Sequence, residues 1–193
     1  MSDTGDNRLN RRAFSAAVLA ERNGTLVVPG LGSPTWDCFA AGDSDDYLYS
    51  WGGMGLALPT ALGVALARPG RRVCCLTGDG ELMMGLGSLA VVGAQRPENL
   101  SVLVLDNEHF GETGRQPGLA QTADLCAIAE GAGFRQSLLV TSMEQVPDLC
   151  AMLFHQPGPV FALAKIALTQ DPLLLPEKDG VIIASRFRSA AAQ

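Results

Sequence analysis

The sequence predicts an α/β fold: three layers, α/β/α, around a mostly parallel sheet. Two observations carry this. Short apolar runs alternate with helix-length stretches along most of the chain. Several of those runs are apolar without an inside/outside alternation, as strands covered on both faces are.

Leu9 to Glu21 reads as a helix, with Phe14, Val18 and Leu19 on its apolar face. Thr25 to Val28 is a short buried strand, stopped by Pro29-Gly30, and Thr35 to Ala41 a second helix. Tyr47 to Tyr49 is a brief strand. Leu58 to Ala67 is helical, with Pro59 tolerated in the first turn. Arg72 to Leu76 is a strand ended by Thr77-Gly78-Asp79-Gly80, and Glu81 to Gln95 a helix weakened by Gly85 and Gly87. Leu100 to Leu105 is an apolar strand. Helices follow at Ala123 to Ala132 and Met143 to His155, and strands at Gln136 to Val140 and Pro159 to Leu163. We divide the chain into a disordered N-terminus (1–8), one domain (9–168) and a C-terminal tail (169–193). Pro172, Pro176 and several charges mark the tail as extended, with a frayed end at Ser189 to Gln193.

The 193 residues fit one domain large enough to fold without disulfides or a structural metal. Charged residues make up only 18%, against a typical value of about 25%. Either the core is well filled or some apolar surface belongs to a subunit interface. The net charge of −6 and the absence of a basic stripe exclude nucleic acid as an expected partner. Cys38, Cys74, Cys75, Cys126 and Cys150 are odd in number and lack a C-x-x-C pair, which points to free thiols in a reducing compartment. There is no signal-peptide pattern and no long apolar run, so a cytoplasmic protein without membrane contact is expected.

The chemistry concentrates at Gly78-Asp79-Gly80 and at Asp106-Asn107, each at the C-terminal end of an apolar strand with one helix between them. A right-handed crossover makes those strand ends neighbours. Asp79 and Asn107 then offer two oxygens to a hard divalent cation such as Mg²⁺, which commonly bridges to a phosphate. The helix starting near Glu81 turns its N-terminus to the same spot, and the glycines admit a close anion.

Gly78-Asp79-Gly80 followed by Asn107 resembles the signature of thiamine-diphosphate (ThDP) enzymes, and the resemblance implies their diphosphate-binding fold over nearly the whole chain. It implies ThDP and Mg²⁺ as cofactors, with Asp79, Asn107 and the carbonyl of His109 as metal ligands. Asp106 departs from the Asn more usual there. Trp51-Gly52-Gly53-Met54-Gly55-Leu56 with Leu58-Pro59 resembles a second stretch of the family. There Met54 matches the apolar wedge that bends the cofactor, while the Gly52 carbonyl and the Met54 amide meet its aminopyrimidine edge. Gly30-Leu31-Gly32-Ser33 makes a poor dinucleotide fingerprint, lacking the third glycine. It is either a tight turn or, by the resemblance, a diphosphate loop using Gly32 and Ser33. The resemblance thus makes Gly32, Ser33, Gly52, Met54, Gly78, Asp79, Gly80, Glu81 and Asn107 cofactor-binding residues.

The family's activating glutamate has no place in this chain, which implies a partner subunit of the pyrimidine-binding type and a hetro-oligomer with the cofactor between chains. Leu105 to Gln116 is similar to the small subunits of sulfopyruvate decarboxylase and to the matching region of phosphonopyruvate decarboxylase, which implies a lyase that decarboxylates a small 2-oxoacid bearing a second acidic group. Met54, Glu112 and His109 are the catalytic candidates, and Arg115 the candidate for the substrate's acidic group; each polar one is otherwise a solvated loop residue. His155 reads as a helix C-terminal cap. The alternatives are an acetolactate-synthase-like carboligase, a 2-oxoacid:ferredoxin oxidoreductase subunit, and a non-catalytic paralogue that binds only a partner.

Overall fold

Residues 8–169 and 171–193 are described by the computed structural model. The expected disordered N-terminus lies outside them except for Arg8, whose guanidinium reaches Glu108 at 2.7 Å. The apolar runs become strands β1 (Leu26–Pro29), β2 (Val73–Gly78), β3 (Leu100–Asp106), β6 (Gln136–Val140) and β7 (Val160–Lys165). All pair in parallel, in the order β1-β2-β3-β7-β6. The three central strands are the apolar runs, buried along nearly their whole length. Edge strand β6 is mostly exposed or half-buried, and it begins with the polar pair Gln136-Ser137. A small antiparallel pair, β4 (His109–Phe110) and β5 (Gln116–Pro117), stands apart at the C-terminal end of β3.

Helices cover both faces, so the predicted three-layer α/β/α architecture is the one observed. α1 (Arg11–Ala20), α2 (Ser33–Ala40) and α7 (Val146–His155) pack on one side, around Phe14, Cys38, Leu103 and Leu153. α3 (Ala57–Ala67), α4 (Asp79–Met84), α5 (Ser88–Gln95) and α6 (Leu125–Ala132) pack on the other, around Leu62, Leu82, Val92 and Phe161. The five cysteines are free thiols, four of them buried.

Three local expectations change. Leu9 pairs with Ile166 as a strand-like bridge, so α1 starts later, at Arg11, where the Asn10 side chain accepts the Ala13 N–H at 2.9 Å. Tyr47 makes only one bridge to Val27, covering the open edge of β1 rather than forming a strand. The helix expected from Glu81 to Gln95 is two helices. Gly85 lies directly against the Gly55 carbonyl, where no side chain fits, and the chain turns there.

The tail needs a correction. It is not extended throughout: α8 spans Gly180–Ala191. Asp179 caps it by accepting the Val181 and Ile182 N–H groups, and Ile183, Phe187 and Ala191 bury one face. Arg68 and Arg71 hold its last turn through the carbonyls of Ala191 and Ala190. No helix among the described residues is long and apolar enough to cross a membrane.

Candidate cofactor site

β2 and β3 are adjacent and parallel, with Gly78 opposite Leu105. That register brings Asp79, the first residue of α4, beside Asp106 and Asn107. Asp79 is buried at 3% exposure, and among the described residues its Oδ2 has no hydrogen-bond partner. Burial and the neighbouring Asp106 charge push its carboxyl up to about 7, although N–H groups of Asp79, Gly80 and Asn107 oppose the shift. A buried carboxylate oxygen left without a donor is costly for a chain alone.

Asn107 turns sharply into the hairpin. Its Oδ1 accepts the His109 N–H at 2.8 Å, and its carbonyl lies 2.8 Å from His109 Nδ1. Pro117 stands opposite His109 in the hairpin and has no N–H to give the His109 carbonyl. Gly118 closes the turn: a Cβ there would lie 3.3 Å from Asp79 Oδ2. Among the described residues no cluster of three or more His, Cys, Asp and Glu forms. The donors present, a carboxylate, an amide oxygen and a carbonyl, fit a hard cation that takes its remaining ligands from phosphate and water.

The second motif arrives from the other side. Gly53 and Gly55 have φ of 75° and 88°, a left-handed backbone that glycine adopts freely. They swing Met54 over the Gly78–Gly80 turn, and a Cβ on Gly80 would meet Phe110 at 3.0 Å and Met54 Cε at 3.6 Å. Gly32, with φ of 73°, starts α2 and brings Ser33 to the same space. Glu112 leans over Gly32, its carboxyl raised by burial, with Arg11 and a hydrogen bond to Ser33 pulling the other way.

These segments enclose a cavity of about 170 Å³, lined by Ser33, Met54, Gly78 to Glu81, Asn107, His109 and Glu112 among others. A more polar cavity of about 260 Å³ adjoins it and includes Arg115. Of the residues expected at the site, Gly32 and Gly52 do not line the cavity, although their loops do. His155 is the exposed last residue of α7, where a basic group suits the helix end. Glu81 lines the cavity, yet both its oxygens turn into the protein. Thr77 Oγ1 donates to Oε2 at 3.0 Å and the Ala57 N–H to Oε1 at 3.3 Å.

Phe110 and Arg11 are among the lining residues that the sequence reading did not single out. Phe110 sits in a hairpin too short to show periodicity. Arg11 is buried at 6% exposure, lines both cavities and pairs with Asp37 at 2.5 Å and Asp171 at 3.2 Å. Its signal was an arginine at the start of an otherwise apolar helix face.

The family described as thiamine pyrophosphate enzyme, C-terminal TPP binding domain, matches residues 35–162. The chain belongs to this family. The match takes in Met54, the Gly78–Gly80 turn, Asn107, His109 and Glu112; Arg11, Gly32, Ser33 and α8 lie outside it. A phosphonopyruvate decarboxylase of Streptomyces viridochromogenes is 38% identical over 184 residues, which cover 94% of this chain and 46% of that protein. The chain therefore spans about half the length of this relative. A sulfopyruvate decarboxylase subunit beta of Methanothermobacter thermautotrophicus is 38% identical over 137 residues, 71% of either chain. An X-ray structure from Mycobacterium smegmatis, ascribed to a thiamin diphosphate-dependent enzyme, superposes with a TM-score of 0.70 at 20% identity, covering 82% of this chain and 32% of that one, and so shares this fold over that part.

Proposed function

We propose that this chain is the diphosphate- and Mg²⁺-binding subunit of a split ThDP-dependent decarboxylase. Its substrate is a small 2-oxoacid with a second acidic group, as sulfopyruvate and phosphonopyruvate are. The observation that carries the reading is the buried, unpartnered Asp79 Oδ2, set beside Asn107 by strand register in a TPP-binding domain. An oxygen in that state suits a cation. Asp79, Asn107 and the His109 carbonyl would hold Mg²⁺, with Gly32 and Ser33 facing the diphosphate. When bound, ThDP would supply an electron sink for the pair left behind as CO₂ departs.

The chain's own residues supply orientation and exclusion of water. Met54, over Gly80, is the wedge, and the Gly52 carbonyl and Met54 amide take the aminopyrimidine edge. Glu112 and His109 are the groups placed to move a proton, because both line the cavity. Burial raises the Glu112 carboxyl, which suits proton exchange nearer neutral pH. His109 Nδ1 faces the Asn107 carbonyl, which leaves Nε2 as the proton acceptor of the neutral ring. Arg115 lines the adjoining polar cavity, where its guanidinium would meet the substrate's second acid.

A partner subunit supplies the activating glutamate. Trp51, Met54, Leu56 and Met84, at 40%, 37%, 57% and 70% exposure, leave an apolar rim beside the cavity that suits such a partner. We expect the enzyme to work in the cytoplasm. A tagged pull-down from the native cell tests the reading. The expected result is a pyrimidine-type chain with ThDP and Mg²⁺, and a complex that releases CO₂ from sulfopyruvate or phosphonopyruvate. A chain that comes down alone and binds no ThDP would overturn it. Product formation only when an acceptor aldehyde or oxoacid is added would move the assignment to a carboligase.

A further inference from the structure

Glu81 carries a charge into the interior, 5% exposed, two residues after the proposed metal ligand Asp79. A carboxylate turned toward a diphosphate would repel it. The structure turns this one away, and what it meets instead is informative. Oε2 accepts from Thr77 Oγ1 at the end of β2 (3.0 Å), and Oε1 from the backbone N–H of Ala57 at the start of α3 (3.3 Å). The backbone amides of Leu31 and Gly55 lie near enough to favour its charged form, against the burial that raises its carboxyl. One side chain thus gathers donors from the loop after β1, the loop that carries Met54, and the strand that leads into Gly78-Asp79-Gly80.

Two glycine contacts fit that arrangement. A Cβ on Gly30 would run into the Glu81 carboxylate, so the loop after β1 rests directly on it. Gly85, one turn further along from Glu81, lies against the Gly55 carbonyl, and a Cβ on Gly55 would come 3.0 Å from Gly85 N. The loop bearing Met54 is therefore seated on α4 at two points, Glu81 and Gly85.

Resting on the ThDP reading above, we propose that Glu81 is a positioning residue. Its carboxylate sets the distance between the metal-and-phosphate end of the site (Asp79, Ser33) and the Met54 end, without touching cofactor or substrate. A ligand that spans both ends depends on that distance; a ligand that fills only the phosphate end does not. Glu81→Gln keeps the volume but removes the charge and replaces one acceptor oxygen by a donor; the Thr77 hydroxyl can turn to accept from it, but the backbone N–H groups around the carboxylate can only donate. The loops lose their shared anchor while the core beneath them stays packed.

Two measurements on the full chain, in complex with its partner where one co-purifies, test this. The first is hydrogen exchange without cofactor. We expect E81Q to raise exchange in residues 30–33 and 53–57 and to leave β3 and α6 unchanged. Equal exchange in those loops, or a uniform rise across the protein, would overturn the proposal. The second is calorimetric titration with Mg²⁺ plus ThDP against Mg²⁺ plus inorganic diphosphate. Hydrogen bonds to a charged group are worth enough that we expect ThDP affinity to fall about tenfold or more. Inorganic diphosphate should change by no more than about twofold, within the scatter of such comparisons. Equal losses for both ligands would mean Glu81 merely supports the fold. Should E81Q fail to fold, Gly30→Ala displaces the carboxylate from above and carries the same expectations. A wild-type protein that binds no ThDP defeats the functional reading, while the exchange result still decides the role of Glu81 in seating the loops.

Discussion

Lys165 Nζ lies 2.6 Å from Asp106 Oδ2, across the pair of strands in which the two residues stand directly opposite. Asp106 is the residue that departs from the usual Asn before the proposed metal ligand Asn107, and this pairing explains how a second carboxylate is carried so close to Asp79. Lys165 also reaches Glu108 at 2.7 Å. Burial alone would lower the Lys165 pKa, but its bonds to Asp106 and Glu108 raise it overall. Asp106 Oδ1 accepts the Glu108 N–H at 3.0 Å, so the pair holds the turn that shapes Asn107 and His109.

Removing the lysine should therefore be worse than removing the pair. Breaking a fully buried pair costs about 3–5 kcal/mol. Lys165 is 26% exposed at its side chain, and water screens part of the loss. We expect Lys165→Met to destabilise by about 2 kcal/mol and the double variant with Asp106→Asn to recover at least half of that. Urea unfolding of the wild type, both singles and the double gives the comparison. A double variant no better than K165M would mean the Asp106 charge is not what the lysine neutralises.

Asp79 should trade stability for binding. Its Oδ2 is buried without a donor, and its nearest charge is another carboxylate. In the chain without metal, Asp79→Asn removes that charge and should raise stability by about 1 kcal/mol, the scale of a relieved buried polar group. With Mg²⁺ and ThDP at about 100 times their dissociation constant, the wild type should gain about 2.7 kcal/mol and the variant nothing. Thermal melts with and without ligand read both effects. A variant that is less stable without ligand would show that the carboxylate is satisfied in the free protein.

How far the sequence alone reaches is visible in particular residues. Val102, Val104, Phe161 and Leu163 announce covered strands because nothing polar interrupts them, and the Gly-Asp-Gly turn announces the strand end. Periodicity says nothing of a two-residue strand, so Phe110 stayed hidden. Glu81 was legible as a site residue but not as one that faces inward; only the placement of Thr77, Leu31 and Ala57 fixes that. α8 was masked by the prolines before it. Its four-residue spacing of Ile183, Phe187 and Ala191 after an Asp-Gly start was readable, yet the charges between them suggested a solvated tail.

The docking of α8 should depend on acid pH. Arg186 makes two bonds of 2.8 Å to Asp43, which also accepts from Tyr49 OH at 2.9 Å. The hydrogen bond from Arg186, first, and that from Tyr49 hold the Asp43 carboxyl below its usual 3.8. A carboxyl depressed in the folded state stabilises above its unfolded pKa, and that contribution fades as pH falls through the lower folded value. Arg186→Met should cost about 0.5–1 kcal/mol at pH 7, as an exposed bidentate pair does, and progressively less below pH 3.8. Urea midpoints of both proteins at pH 7 and pH 3 measure the gap. A gap that is constant with pH would assign Arg186 to packing on Tyr49, which its guanidinium overlies at 5.4 Å.

Arg11 ties the site to the chain's two ends. It bridges Asp37 of α2 and Asp171 of the tail, and Arg12 adds a second contact to Asp37 at 3.2 Å. Asp37 has no exposed side-chain surface, so it relies on these two guanidiniums. Lysine cannot replace Arg11, because a point charge on a flexible stem does not reach two carboxylates in one plane. Arg11→Met leaves Asp37 with Arg12 alone and should destabilise by about 3 kcal/mol, near the lower bound for opening a buried pair. Arg11→Lys should keep the Asp37 contact and lose the one to Asp171, costing about 1 kcal/mol, the upper end for a surface pair, since both side chains are largely buried. It should also free the tail, so that proteolysis near Asp171 speeds up in R11K while α1 stays protected. Unchanged cleavage there would mean that the Arg12 bond to the Pro172 carbonyl, 2.9 Å long, is enough to hold the tail in place.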